Sequence, residues 1–162
     1  MYKKLECLEM QLENNGIIVK DMHIPINNVD GMCFSYSQDL FPSQIFNDII
    51  VYDSKKLNHD SKKILNVLLH EEVHLEYPDT MYSIDELPYK IKQRERKTTR
   101  LISRKYISQD KLFELIFNRH MELYEISDEL CLPEQLVQDA FDYYSQLESW
   151  INKKNKLLLN EF

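Results

Sequence analysis

The stretch Lys62–Tyr77 reads KKILNVLLHEEVHLEY and is closed by Pro78. It contains neither glycine nor proline, and Asn58, Asp60 and Ser61 stand before it as N-cap candidates. It reads as a helix. Inside it, His70-Glu71-Glu72-Val73-His74 forms an HExxH pattern. Residues four apart lie about 40° apart around a helix axis, so both imidazoles share one face and can reach one zinc ion at about 2 Å. Glu71 lies one residue on, where its carboxylate reaches a water on the metal without being a ligand. Hydrolysis needs that arrangement: the metal lowers the pKa of its water to about 7, and the carboxylate takes the proton. Chance produces the pattern about 0.014 times in a chain of this length and His and Glu content. Ile64, Leu65, Leu68 and Leu75 fall on the opposite side. They supply a packed back to a polar front that also carries Lys63 and Asn66.

A catalytic zinc takes three protein ligands and keeps one position open. Beyond His70 and His74, the chain offers His23, His59 and His120, and the carboxylates Glu76, Asp79, Asp85, Glu86 and Glu95. Glu76 points away from the His70 face. Asp79, Asp85 and Glu86 lie in or beside a connector, a poor place to hold a ligand accurately. Glu95 belongs to a second helix, opened by Pro88 as a first-turn proline and running to about Tyr106. On that helix Ile91, Ile102 and Tyr106 fall within about 40° of Glu95, while every basic residue falls about 60° or more away. A carboxylate on an inward apolar face is costly unless paired or bound to metal. Glu95 is therefore either the third ligand or a partner of Arg94, Lys92 or Thr99. Between His74 and Glu95 the chain has room to turn and send the second helix back across the first.

Outward from these helices the pattern changes. Residues 2–14 carry Leu5, Leu8 and Leu12 at helical spacing, and Asn15-Gly16 ends that helix. Ile17–Val19, Met32–Tyr36 and Ile45–Tyr52 read as strands, separated by a loop marked by Pro25, Asn27, Asn28 and Gly31. Past the glutamate helix, three helical stretches are predicted at about 110–118, 122–131 and 134–151, with Pro133 between the last two. Strands early and helices late indicate an α+β fold. Residues 1–108 form the expected core domain and 109–162 a helical C-terminal segment.

The 162 residues carry 20 Lys and Arg against 27 Asp and Glu, a net charge of -7. That acidity disfavours direct nucleic-acid binding over the whole surface. It is unevenly spread: Lys90 to Lys105 holds eight basic residues around Glu95, its one acid. The two glycines, Gly16 and Gly31, stand alone, which excludes glycine-rich phosphate loops. The N-terminus lacks the apolar core of a secretory signal, and no apolar run is long enough to span a membrane. Cys7, Cys33 and Cys131 are odd in number and widely spaced. They read as small buried hydrophobes in a reducing cytoplasm.

LLHEEVHLEYPDT followed by QRERKTTRLISRKYIS resembles the ImmA/IrrE-type metallopeptidases of phages and integrative conjugative elements, and more broadly the gluzincin arrangement of HExxH with a later glutamate. At the family's patterned places after the glutamate stand Thr98, Leu101, Ile102, Tyr106 and Ile107, and YEISDELCLPEQLVQDAFDYY resembles its C-terminal helices. The resemblance covers about 45–146. It implies a zincin-like core: a short antiparallel sheet, the HExxH helix and the glutamate helix. It implies His70, His74 and Glu95 as ligands of one Zn2+, Glu71 as general base, and Ile49–Tyr52 as the strand beside the cleft, available to pair with an extended substrate. It further implies a helix-turn-helix repressor of a mobile element as the protein substrate, so that cleavage acts as antirepression. The chain departs from the pattern in two ways. Val73 stands where the family often has glycine, and Thr98 and Ile102 stand where small residues are expected. Both thicken the helix contact and leave the ligands intact. A catalytically weak or inactive antirepressor acting by binding is the alternative.

Two further features carry alternatives. Tyr77 and Tyr82 could donate to an oxyanion or merely pack. Glu122–Tyr143 superficially resembles a helix-turn-helix unit. Between Arg119 and Lys153, however, there is no basic residue and there are eight acids, a surface that repels phosphate. That segment reads as a packing or partner-docking module.

Overall fold

A computed structural model describes residues 2–35, 47–81 and 86–159, apart from the side chains of residues 2, 154 and 157–159. The fold is α+β. In chain order the elements are α1 (Tyr2–Asn14), β1 (Ile18–Asp21), β2 (Gly31–Phe34), β3 (Ile49–Tyr52), α2 (Ser61–Glu76), α3 (Pro88–Tyr106), α4 (Gln109–Phe113), α5 (Leu123–Leu130), α6 (Glu134–Ser145) and α7 (Glu148–Leu159). A 3₁₀ turn at Pro78–Thr80 and a π turn at Glu114–Asn118 follow α2 and α4. The chain divides into two compact units, Met1–Thr98 and Thr99–Phe162, with the boundary inside α3. No helix among the described residues is long and apolar enough to cross a membrane.

In the first unit the sheet order is β1-β3-β2. The sheet is mixed, which corrects the expected antiparallel one: β3 pairs antiparallel with β2 but parallel with β1. A parallel pair needs a crossover of about a dozen residues or more, and the long segment between Asp21 and Ile49 supplies it. β3 takes the centre because Ile49-Ile50-Val51-Tyr52 is its most apolar, β-branched run, and Ile50 and Val51 are buried. A second correction follows. With both edges bonded, Ile49–Tyr52 cannot add a further strand; among the described residues β1 and β2 are the edge strands. The strands are also shorter than predicted at 32–36 and 45–52, and residues 36–46 lie outside the described part.

α2 packs across β2 and β3 and against α1. Asp60 caps it, its carboxylate accepting from the N–H groups of Lys62 and Lys63. Ile64, Leu65, Leu68 and Leu69 are buried with Leu5, Leu8 and Leu12 of α1, while Leu75, assigned to the packed back, is only half-buried. The left-handed Gly16 (φ +79) closes α1, as its C′ position requires.

Asp53, just after β3, ties the end of the sheet to the loop after β1. Its carboxylate accepts from the Ile24 N–H at 3.0 Å, the Lys56 N–H at 3.2 Å and His23 Nδ1 at 3.0 Å. Lys56 Nζ donates to the Ile26 and Val29 carbonyls in the same loop. The Ile24 bond above all, joined by those from Lys56 and His23 and the His23 charge, holds the Asp53 carboxyl down at about 2. A folded-state pKa below the ordinary 3.8 means stability that is present above that value and lost as pH falls toward about 2. Urea midpoints measured from about pH 5 down to about pH 2 should therefore fall, and Asp53→Asn should flatten that slope. An equally steep slope in the variant would assign it to other carboxylates.

In the second unit the helical stretch expected at 110–118 is present, and the one expected over 134–151 is corrected to two helices, α6 and α7. α4 passes into the π turn, where the Arg119 N–H reaches the Glu114 carbonyl. The break between α6 and α7 carries no glycine or proline. Instead the Ser145 hydroxyl and the Gln146 amide both donate to the Asp142 carbonyl, competing with the helical ladder. The bend delivers Trp150 into a cluster with Phe113, Phe117, Phe141 and Tyr144, at centroid distances of 5.1 to 6.2 Å. α5 and α6 meet at Cys131, held in the left-handed region, and the Ser127 hydroxyl bonds the Leu132 carbonyl there.

Candidate metal centre

Three side chains converge in the first unit. His70 and His74 come from successive turns of α2, and Glu95 from α3. His70 Nε2 lies 3.0 Å from His74 Nε2 and 3.2 Å from Glu95 Oε2, and His74 Nε2 lies 3.8 Å from Glu95 Oε1. One ligand atom from each of the three residues falls within 4.8 Å of the others. A tetrahedral ion with arms of about 2.0–2.1 Å separates its ligand atoms by about 3.3 Å, so these separations fit. The chemistry fits as well. Two imidazole nitrogens aimed at each other repel if both present lone pairs, and a cation between them removes the repulsion. Two nitrogens and one carboxylate oxygen form an ordinary zinc donor set, which leaves a fourth position. His23, His59, His120 and Glu86 do not enter this group, and Asp85 lies outside the described residues.

Glu95 meets the histidines because its neighbours are engaged elsewhere. Arg94 donates to the Met81 carbonyl and pairs with Glu86, and Lys97 pairs with Asp79. Both anchors tie α3 to the segment just after α2, which turns the face between them toward His70. Burial alone would lower the His70 imidazole's pKa, but the Glu95 hydrogen bond and the charges of Glu71 and Glu95 outweigh it and raise it. His74 is 4% exposed, and burial, reinforced by the His70 charge, holds it down at about 4, the neutral form a ligand needs.

Glu71, also on α2, is 9% exposed. Burial raises its pKa against the opposing His70 charge, and its carboxylate accepts from the Cys33 thiol and backbone on β2. Burial and the Glu71 charge push the Cys33 thiol up in turn, so it stays protonated. Glu71 and His74 sit in the wall of a cleft of about 360 Å³, otherwise lined by Ile26, Val29, Gly31, Met32, Cys33, Phe34 and Met81. The cleft is thus built from the 24–30 loop, β2 and α2, with Met81, and not from β3. Sequence reading missed Cys33 as a neighbour of Glu71, although the isolated Gly31 two residues earlier was the available signal. A Cβ at Gly31 would overlap Val67 Cγ1 and touch Glu71 Cγ at 3.6 Å, so only glycine lets β2 lie this close to α2. Gly31→Ala should destabilise by about 1–3 kcal/mol through overpacking, read as a lower urea midpoint. An unchanged midpoint would mean that β2 yields freely.

Tyr77 lies at the end of α2 with its side chain exposed, and Tyr82 lies outside the described residues. The buried residue next to the metal group is instead Thr80, whose Oγ1 is 2.9 Å from His74 Nδ1. No family model, curated protein or solved structure matches the chain.

Proposed function

We propose that the chain is a zinc-dependent endopeptidase with a zincin-like core, acting in the cytoplasm on a protein substrate. The observation that carries this reading is the convergence of His70, His74 and Glu95 beside the buried Glu71 in the wall of an apolar cleft. His70, His74 and Glu95 would hold a zinc ion there, which would supply a Lewis acid and bring a water to near-neutral pKa. Glu71 would take the proton of the attacking water and deliver it to the leaving amine. The outer edge of β2 can hydrogen-bond an extended segment through its main chain. Ile26, Val29, Met32 and Met81 give one of its side chains an apolar bed.

The substrate we favour is a helix-turn-helix repressor of a mobile element, on the resemblance of residues 45–146 to ImmA/IrrE-type peptidases. The test is to incubate the zinc-loaded protein with the repressor encoded beside it, in parallel with a chelated sample. Fragments that vanish on chelation support the reading. Release of the repressor from DNA without fragments would establish a binding antirepressor instead.

A further inference from the structure

We infer that Thr80 is a positioning residue for the proposed metal centre: its hydroxyl fixes the ring of His74 in the form that points an Nε2 lone pair at the site. The inference rests on the metal-binding reading above. Pro78 stops α2 and starts a single 3₁₀ turn, in which the Thr80 N–H reaches the Tyr77 carbonyl at 2.8 Å. That turn folds the Thr80 side chain back beneath the last turn of α2. Thr80 Oγ1 there lies 2.7 Å from the Tyr77 carbonyl oxygen and 2.9 Å from His74 Nδ1. Thr80 is 0% exposed and His74 4%, so water does not compete for either group.

A hydroxyl has one proton to give. The Tyr77 carbonyl can only accept, and it is the nearer neighbour, so the proton goes there. What Thr80 turns toward His74 is then a lone pair, and Nδ1 must carry the proton that meets it. A neutral imidazole has only one N–H, so Nε2 is left as an acceptor, facing His70 and Glu95. The opposite tautomer would put an N–H where a metal must bind, and two lone pairs between Nδ1 and Oγ1. The partner on the remote nitrogen of a metal-bound histidine usually sets tautomer and ring angle in this way. The same segment also anchors α3 through Asp79 and Met81, so it steadies two of the three ligands at once.

The test compares wild type with Thr80→Val, which keeps the shape and removes the acceptor, and Thr80→Ser, which restores it. In metal-free, ¹⁵N-labelled protein, two-bond couplings from the ring protons report which nitrogen of His74 bears hydrogen. Zinc affinity is read by competition with a chromophoric chelator. Wild type and Thr80→Ser should show the proton on Nδ1. Thr80→Val should lose that preference and bind zinc about 10–100-fold more weakly. A zinc-binding wild type with the proton on Nε2 overturns the role of Thr80, as does a folded Thr80→Val that keeps both tautomer and affinity. No zinc binding by wild type overturns the metal centre itself, and that result reads differently from either.

Discussion

If the chain is the proposed peptidase, Glu71→Gln should remove cleavage of the protein substrate almost entirely while the protein stays folded and binds zinc as wild type does. The glutamine has nearly the same shape and keeps an oxygen that can accept from Cys33. It cannot take a proton, and general-base assistance contributes about 10²–10⁴-fold, so the rate should fall by that factor. Glu71 is not among the three converging ligand residues, so zinc content should hold at the wild-type level. Two measurements on one preparation decide the matter: fragment formation over time and metal content by mass spectrometry. Full activity in the variant would move proton transfer to another group. Loss of both zinc and activity would mean that Glu71 supports the site rather than acting in it.

α2, α3 and the three converging side chains were legible because each rested on a local period. The bounds of α3 emerge where Pro88 and the apolar spacing put them, and Glu95 turns toward the histidines because every basic neighbour lies off its face. What was not legible depends on pairing across long separations. Nothing local in Ile18–Asp21 says that its partner is β3 in parallel, and nothing in Ile49–Tyr52 says that both its edges are taken. The cleft wall therefore moved from β3 to β2 when the sheet order became visible. The break before Trp150 was hidden for another reason. It is made by side chains bonding the Asp142 carbonyl and by the aromatic cluster that Trp150 joins, not by a helix breaker. Thr80 was equally silent: the sequence shows a proline stop, but not which hydroxyl the turn folds under His74.

Removing a ligand should have the largest effect on the metal. His74→Ala and Glu95→Ala should each abolish stoichiometric zinc, whereas His59→Ala, outside the converging group, should leave one zinc per chain. The two ligand variants should part company without metal. His74 is buried against Thr80, so its truncation leaves a cavity, and the metal-free variant should lose stability. The Glu95 side chain is 32% exposed, so its loss should cost the metal-free fold little. Zinc binding to the folded state alone stabilises by about 2.7 kcal/mol at a hundredfold excess over Kd, so wild type should show a clear rise in Tm on adding zinc. Both ligand variants should show almost none. A Glu95→Ala protein that still holds one zinc and still gains Tm would transfer the third position to another donor, and α3 would then be only the wall of the site.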